Sequence, residues 1–166
     1  LRYYKINNGI EVHYDGDIPA KTGVGSSSAF VVGFLNAITA LKNKNINKLD
    51  LARKSIFLET KILNEVVGSQ DQVACACGGF NNIIFNKNGS FKIKKINIEN
   101  KDKVILQNNL FLVYSKIQRT AEIIAKSFVN NLSEKKIKEM QMINGILKDA
   151  KKIIQSKKFG DFGELL

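Results

Sequence analysis

The chain has 166 residues, 44% of them hydrophobic and 25% charged, the balance of a folded soluble protein with room for one domain and a core, or for part of a larger one. A formal charge of +11 invites a nucleic-acid partner, yet only Arg2, Arg53 and Arg119 of the 26 basic residues are arginines, and the lysines are scattered rather than gathered with aromatics on one face. No apolar run spans a bilayer, no signal peptide opens the chain, and two cysteines make no disulfide framework, so a cytoplasmic protein with neither a membrane nor a nucleic-acid partner is expected.

In chain order, Gly9–Asp17 (GIEVHYDGD) alternates loosely and reads as a strand ending near Pro19. From Ser26 to Leu41 the apolar residues Phe30, Phe34, Ile38 and Leu41 keep a helical period. A lysine–asparagine loop follows, and Leu49 to about Val66 reads as a second helix. GSQDQVACACGGF is a short third helix begun by a polar loop and stopped by Gly78-Gly79. Cys75 and Cys77 lie within it, two apart, with no His or second pair to complete a zinc site; both are expected to be buried small side chains.

Beyond that helix the period changes. Phe80–Phe85, Phe91–Ile98 and Asn109–Ser115 read as strands, the first two joined by NKNGS, and Gln118–Leu132 and Glu134–Gln155 return to helical spacing. Helices and strands come in blocks, which favours an α+β fold over strict βαβ alternation. Leu1 in place of an initiator Met, and a fresh segment (FGELL) beginning at the far end, suggest a piece of a longer protein.

The stretch most open to chemistry is PAKTGVGSSSAF, Pro19 to Phe30. Gly23 and Gly25 are free to adopt left-handed backbone conformations that aim successive N–H groups at one point, and a helix starting at Ser26 adds unpaired N–H groups and the positive end of its dipole. That makes a phosphate cradle, with the hydroxyls of Ser26, Ser27 and Ser28 available to phosphate oxygens or a Mg²⁺ shell; a flexible loop with a serine cap explains the same residues. It is not a Walker A loop, since no Lys follows Gly25, and it lacks the third glycine of a dinucleotide fingerprint. Two carboxylates accompany it. Glu59 interrupts the apolar helix at FLETKI, and Asp71 stands where the third helix begins; taken alone, Glu59 reads better as an exposed helix carboxylate and Asp71 as an N-terminal cap.

These residues resemble the second motif of the GHMP small-molecule kinases, P-x3-G-L-G-S-S-A: Pro19, Gly23, Gly25, Ser26, Ser27 and Ala29 match, Val24 replaces Leu, and Ser28 is an extra serine. The resemblance is closest to the branch that phosphorylates sugars at the anomeric carbon, the manno-heptose 7-phosphate kinases among it, through VGSQDQ (Val67–Gln72), GGFN (Gly78–Asn81), QRTA (Gln118–Ala121) and FGELL (Phe162–Leu166).

It implies a GHMP-kinase two-layer fold. Residues 1–98 would form a ribosomal-protein-like N-terminal domain, and 99–166 the truncated start of the C-terminal one. It also implies ATP and Mg²⁺ as cofactors and a phosphorylated sugar, D-glycero-D-manno-heptose 7-phosphate, as acceptor. In that reading Gly23, Val24, Gly25, Ser26, Ser27 and Ser28 hold the ATP phosphates, and Ser27 with Glu59 binds the metal, Ser28 being a close second to Ser27. Asp71 is the catalytic base. Ser69, Gln70 and Gln72 contact the sugar, Arg119 clamps its distal phosphate, and Lys21 adds charge beside the cradle. The family's first and third motifs are absent. Another anomeric sugar 1-kinase is the first alternative, followed by a non-catalytic nucleotide or sugar-phosphate sensor and then by a basic RNA binder.

Overall fold

A computed structural model describes residues 2–7, 9–17, 22–114, 116, 125 and 133–165. Its centre is three helices: α1 (Ser26–Leu41), α2 (Lys48–Phe57) and α3 (Gln70–Cys77). On α1 the buried residues are Ser28, Val31, Val32, Leu35 and Ile38, the i, i+3, i+4, i+7 spacing of one helical face. Asn47 starts α2 by accepting the backbone N–H of Asp50 through its side chain at 2.9 Å, and Leu51, Ala52 and Ser55 face inward. Val31, Val32, Leu35, Leu51, Ala52, Val73 and Ala76 form one apolar cluster, onto which Ile83, Phe91 and Ile93 pack from the sheet.

The second helix stops being α-helical earlier than its sequence suggests. From Leu58 to Ile62 it widens into a π turn, in which the Leu63 N–H reaches back five residues to the Leu58 carbonyl at 2.9 Å. Asn64, at φ 55°, then ends it short of Val66. The Gly78-Gly79 stop of α3 is as expected, both glycines having positive φ.

Strands β1 (Asn81–Phe85) and β2 (Phe91–Lys95) form an antiparallel hairpin that pairs Ile83 with Ile93 and Phe85 with Phe91. Its turn is closed by the Asn86 N–H to the Ser90 carbonyl at 2.8 Å, with Gly89 at φ 80°. Helices and a small antiparallel sheet make the described residues α+β.

Two expected strands are not formed among the described residues. Residues 9–17 and 110–114 are irregular, and Phe111, Leu112 and Val113 are 79–87% exposed. A strand exists only where a neighbour completes its hydrogen-bond ladder, and neither segment has one there.

Residues 100–108, to which no element was given above, form α4 (Asn100–Asn108). Helix α5 (Glu134–Ser156) matches its expected span; Ser133 caps it by accepting the Lys136 N–H, and Lys157 ends it in a left-handed conformation. The helix expected over 118–132 lies outside the described residues, Ala125 excepted. Lys157 ties the end of α5 to the start of α4, reaching Asp102 at 3.0 Å and also Glu99. Among the described residues no helix is long and apolar enough to cross a membrane.

Candidate functional site

The glycine–serine loop enters α1 with Gly23 at φ 79° and Gly25 at φ 75°, the left-handed conformations anticipated above. No side chain caps the first turn of α1, and no acidic residue stands in it. Among the described residues the backbone N–H groups that open this helix therefore have no side-chain cap.

Two carboxylates from other helices meet this loop. A Cβ built on Gly25 would lie 3.3 Å from both Cγ and Oδ2 of Asp71, so the Asp71 side chain rests against the Gly25 backbone. A side chain there would be strained by the left-handed φ, and Asp71 would have to give way by a few tenths of an ångström. The second carboxylate, Glu59, is 1% exposed. Ser28 Oγ donates to its Oε1 at 3.1 Å and to its Oε2 at 3.2 Å, and Gln72 Nε2 donates to Oε2. Glu59 is there because it continues the inward stripe Leu51–Ser55 of α2 by one further turn. Burial pushes its pKa up; the hydrogen bonds from Gln72 and Ser28 pull it back down, while the nearby Glu65 and Asp71 push it up further.

The arrangement fits a divalent cation on chemical grounds. Glu59 is a buried carboxylate whose partners among the described residues are neutral, and a hydroxyl shares its oxygens. Mg²⁺ is commonly held by one or two protein oxygens together with substrate phosphates and water. Among the described residues no cluster of three or more His, Cys, Asp or Glu side chains is arranged to hold a metal.

Of the serines, the structure places Ser28, 6% exposed, on Glu59, whereas Ser27 is exposed. Ser69 is half-buried and Gln70 exposed at the start of α3, beside Asp71. Gln72 is fully buried with its amide engaged by Glu59, so the structure does not bring it to a surface that a sugar would meet. Arg119 and Lys21 lie outside the described residues.

Cys75 corrects an expectation. It is exposed, and Cys77 is half-buried, because only Gln72, Val73 and Ala76 of α3 face the core. Partial desolvation of the Cys75 sulfur, then the charges of Asp71 and Glu59, push its pKa up.

Sequence reasoning missed Thr22. Its Oγ1 is buried without a hydrogen-bond partner among the described residues, at the entry to the loop, and its only sequence signal is adjacency to Gly23. A cleft of about 460 Å³ opens one helical turn beyond the site, between Ala29 and Gly33 of α1 and Cys75 of α3. Another, of about 790 Å³, lined by Tyr3, Tyr4, Lys42, Lys54 and Phe57, lies at the far end of α1, about 24 Å from the loop at 1.5 Å per residue.

Comparison with known proteins bears on residues 1–79, which match the family model described as GHMP kinases N terminal domain. Over 154 residues, 93% of this chain, the sequence is 29% identical to D-glycero-alpha-D-manno-heptose 7-phosphate kinase of Campylobacter jejuni subsp. jejuni, covering 45% of that protein. It is 35% identical over 82 residues, 49% of the chain, to a galactokinase of Pyrococcus furiosus, covering 23% of it. It is 33% identical over 95 residues, 52% of the chain, to glucuronokinase 1 of Arabidopsis thaliana, covering 26% of it. The chain thus spans less than half the length of each of these relatives.

Proposed function

We propose, from the match of residues 1–79 to the GHMP kinase N-terminal domain model, that the protein transfers the γ-phosphate of ATP to a sugar, with the anomeric hydroxyl of D-glycero-D-manno-heptose 7-phosphate as acceptor. The observation that carries this reading is the meeting of two carboxylates, Asp71 and Glu59, at one glycine–serine loop. Phosphoryl transfer asks for an anion cradle, a metal carboxylate and a group that takes the acceptor's proton, and these residues are suited to the three roles.

In the proposed reaction the N–H groups at Gly23–Ser28 hold the β- and γ-phosphates. Asp71, fixed against Gly25, accepts the proton of the sugar hydroxyl as its oxygen bonds to the γ-phosphorus; the bond from that phosphorus to the β–γ bridging oxygen breaks, and ADP leaves. Ser28 and Glu59 would hold Mg²⁺, which when bound neutralises the phosphate charge; the serine choice follows the hydrogen bonds to Glu59 rather than the motif register that favours Ser27. Ser69 and Gln70 stand beside Asp71, where they would meet the acceptor, and Arg119 suits its distal phosphate. Residues 1–98 would be the N-terminal domain, of ribosomal-protein-like architecture, and 99–166 the beginning of a second one.

Phosphorus NMR of the protein with ATP, Mg²⁺ and, in turn, mannoheptose 7-phosphate, mannose, galactose or fucose tests this. The expected result is an anomeric phosphate signal and ADP with the heptose phosphate alone. Transfer to a free hexose would keep the kinase and replace its acceptor. ATP binding without transfer to any of them would leave a nucleotide-binding protein and remove the reaction.

A further inference from the structure

We propose that Gln72 is a positioning residue for Glu59: its amide occupies one carboxylate oxygen, Oε2, and leaves the other, Oε1, as the one that faces a nucleotide-borne cation together with Ser28 Oγ. This rests on the metal role given to Glu59 above and adds a residue that never touches the ligand.

The geometry singles out Gln72. Its side chain is 0% exposed and shares the inward face of α3 with Val73 and Ala76, where an apolar residue of similar volume would fill the space without needing partners. Its Nε2 donates to Glu59 Oε2, but its Oε1 is buried with no hydrogen-bond partner among the described residues. An amide whose oxygen is left unpaired in a core costs free energy that an apolar residue of similar volume would not. What the amide does is divide the carboxylate: Ser28 lies almost equally far from both oxygens, at 3.1 and 3.2 Å, and does not distinguish them, whereas Gln72 binds one. Glu59 itself sits in a π turn, a feature frequent at functional sites. Residues that orient a metal ligand from behind are worth about 10- to 100-fold in metal affinity.

The test measures ADP affinity by titration calorimetry with and without Mn²⁺ and takes the ratio as the metal coupling. With Gln72→Leu, ADP affinity without metal is expected to stay at the parent value while the coupling falls about 10- to 100-fold. Glu59→Gln should lose the coupling, and the double variant should lose no more than Glu59→Gln alone, because Gln72 acts through Glu59. Full coupling in Gln72→Leu, or additive losses in the double variant, would overturn the inference. If circular dichroism shows Gln72→Leu to be unfolded, Gln72→Asn, whose amide is one methylene too short, carries the same expectation, and full coupling there is equally fatal. A parent protein that binds no ADP under either condition would overturn the phosphate-loop reading and this inference with it, an outcome distinct from ADP binding with coupling that Gln72 does not affect.

Discussion

Two buried carboxylates, one in each half of the molecule, are satisfied in opposite ways. Asp102, 6% exposed at the start of α4, has the ammonium of Lys157 at 3.0 Å. Glu59, 1% exposed between α2 and α3, has a hydroxyl and an amide and no cation among the described residues. Burying a charge is expensive unless it is paired, and in the α4–α5 region the pairing is internal. In the α1–α3 region none of the described residues supplies a cation to Glu59. The apolar core follows the same division: among the described residues eight of the nine buried apolar side chains sit on α1, α2 and α3, whereas Leu110–Tyr114 lie open to solvent. The half with the better core is the half that carries a costly polar network, which is where such a network is tolerated.

The largest effect that would sharpen this contrast belongs to Asp71. Asp71→Asn keeps the shape beside Gly25 and should leave ADP affinity intact while lowering the rate of phosphate transfer by about 10²- to 10⁴-fold in a coupled assay; unchanged turnover would remove it as the base. Next come paired leucines. Leu35→Ala, at a position 2% exposed, should cost about 2–5 kcal/mol in urea unfolding, whereas Leu112→Ala, at one 79% exposed, should stay within about 0.5 kcal/mol; equal losses would erase the distinction between the halves. Gly25→Ala forces a side chain into a left-handed conformation against Asp71 and should cost about 1–3 kcal/mol together with nucleotide affinity, read by the same unfolding and by calorimetry.

Glu59→Gln probes the uncompensated charge itself. Because burial raises the folded-state pKa of Glu59, the folded protein binds its proton more tightly than the unfolded chain does. Stability from this group is therefore full below the ordinary glutamate range and declines as pH rises through the raised value. The variant should flatten that decline and be at least as stable as the parent at pH 7 without metal. A decline of the same slope in both proteins would mean that Glu59 is not its source. The smallest effect is expected from Lys152→Ala, whose partner Asp149 is exposed like itself: thermal unfolding should barely move, and any shift should vanish at about 1 M salt, where the screening length falls to about 3 Å.

Much of the helical half was legible in the residues. The Gly78-Gly79 stop and the span of α1 are local signals, although Phe30 and Leu41 of the period read there are exposed, and Glu59 betrayed itself by breaking an apolar stripe. The choice between Ser27 and Ser28 was also present, in the helical phase rather than in the motif: successive residues on a helix point about 100° apart, and Ser28 alone of the two lies in register with Val31, Val32 and Leu35. Gln72 was not legible. In GSQDQ it looks like one more polar loop residue, and its burial depends on where α2 delivers a carboxylate 13 positions earlier. The strands read at 9–17 and 109–115 failed for a similar reason, since alternation marks a segment as able to pair without naming a partner.

The π turn at Leu58–Ile62 gives the site an uneven tolerance for changes in chain length. A π turn holds one residue more than an α turn, so deletion of a single residue after Glu59 can be taken up by tightening Leu58–Ile62 into ordinary helix, with Glu59 still in phase with Leu51 and Ser55. The same deletion between Ser55 and Glu59 would swing the carboxylate about 100° around the helix, out of reach of Ser28 and Gln72. Length variation among descendants of this sequence is thus permitted on one side of Glu59 and closed on the other, a boundary that no substitution scan would reveal.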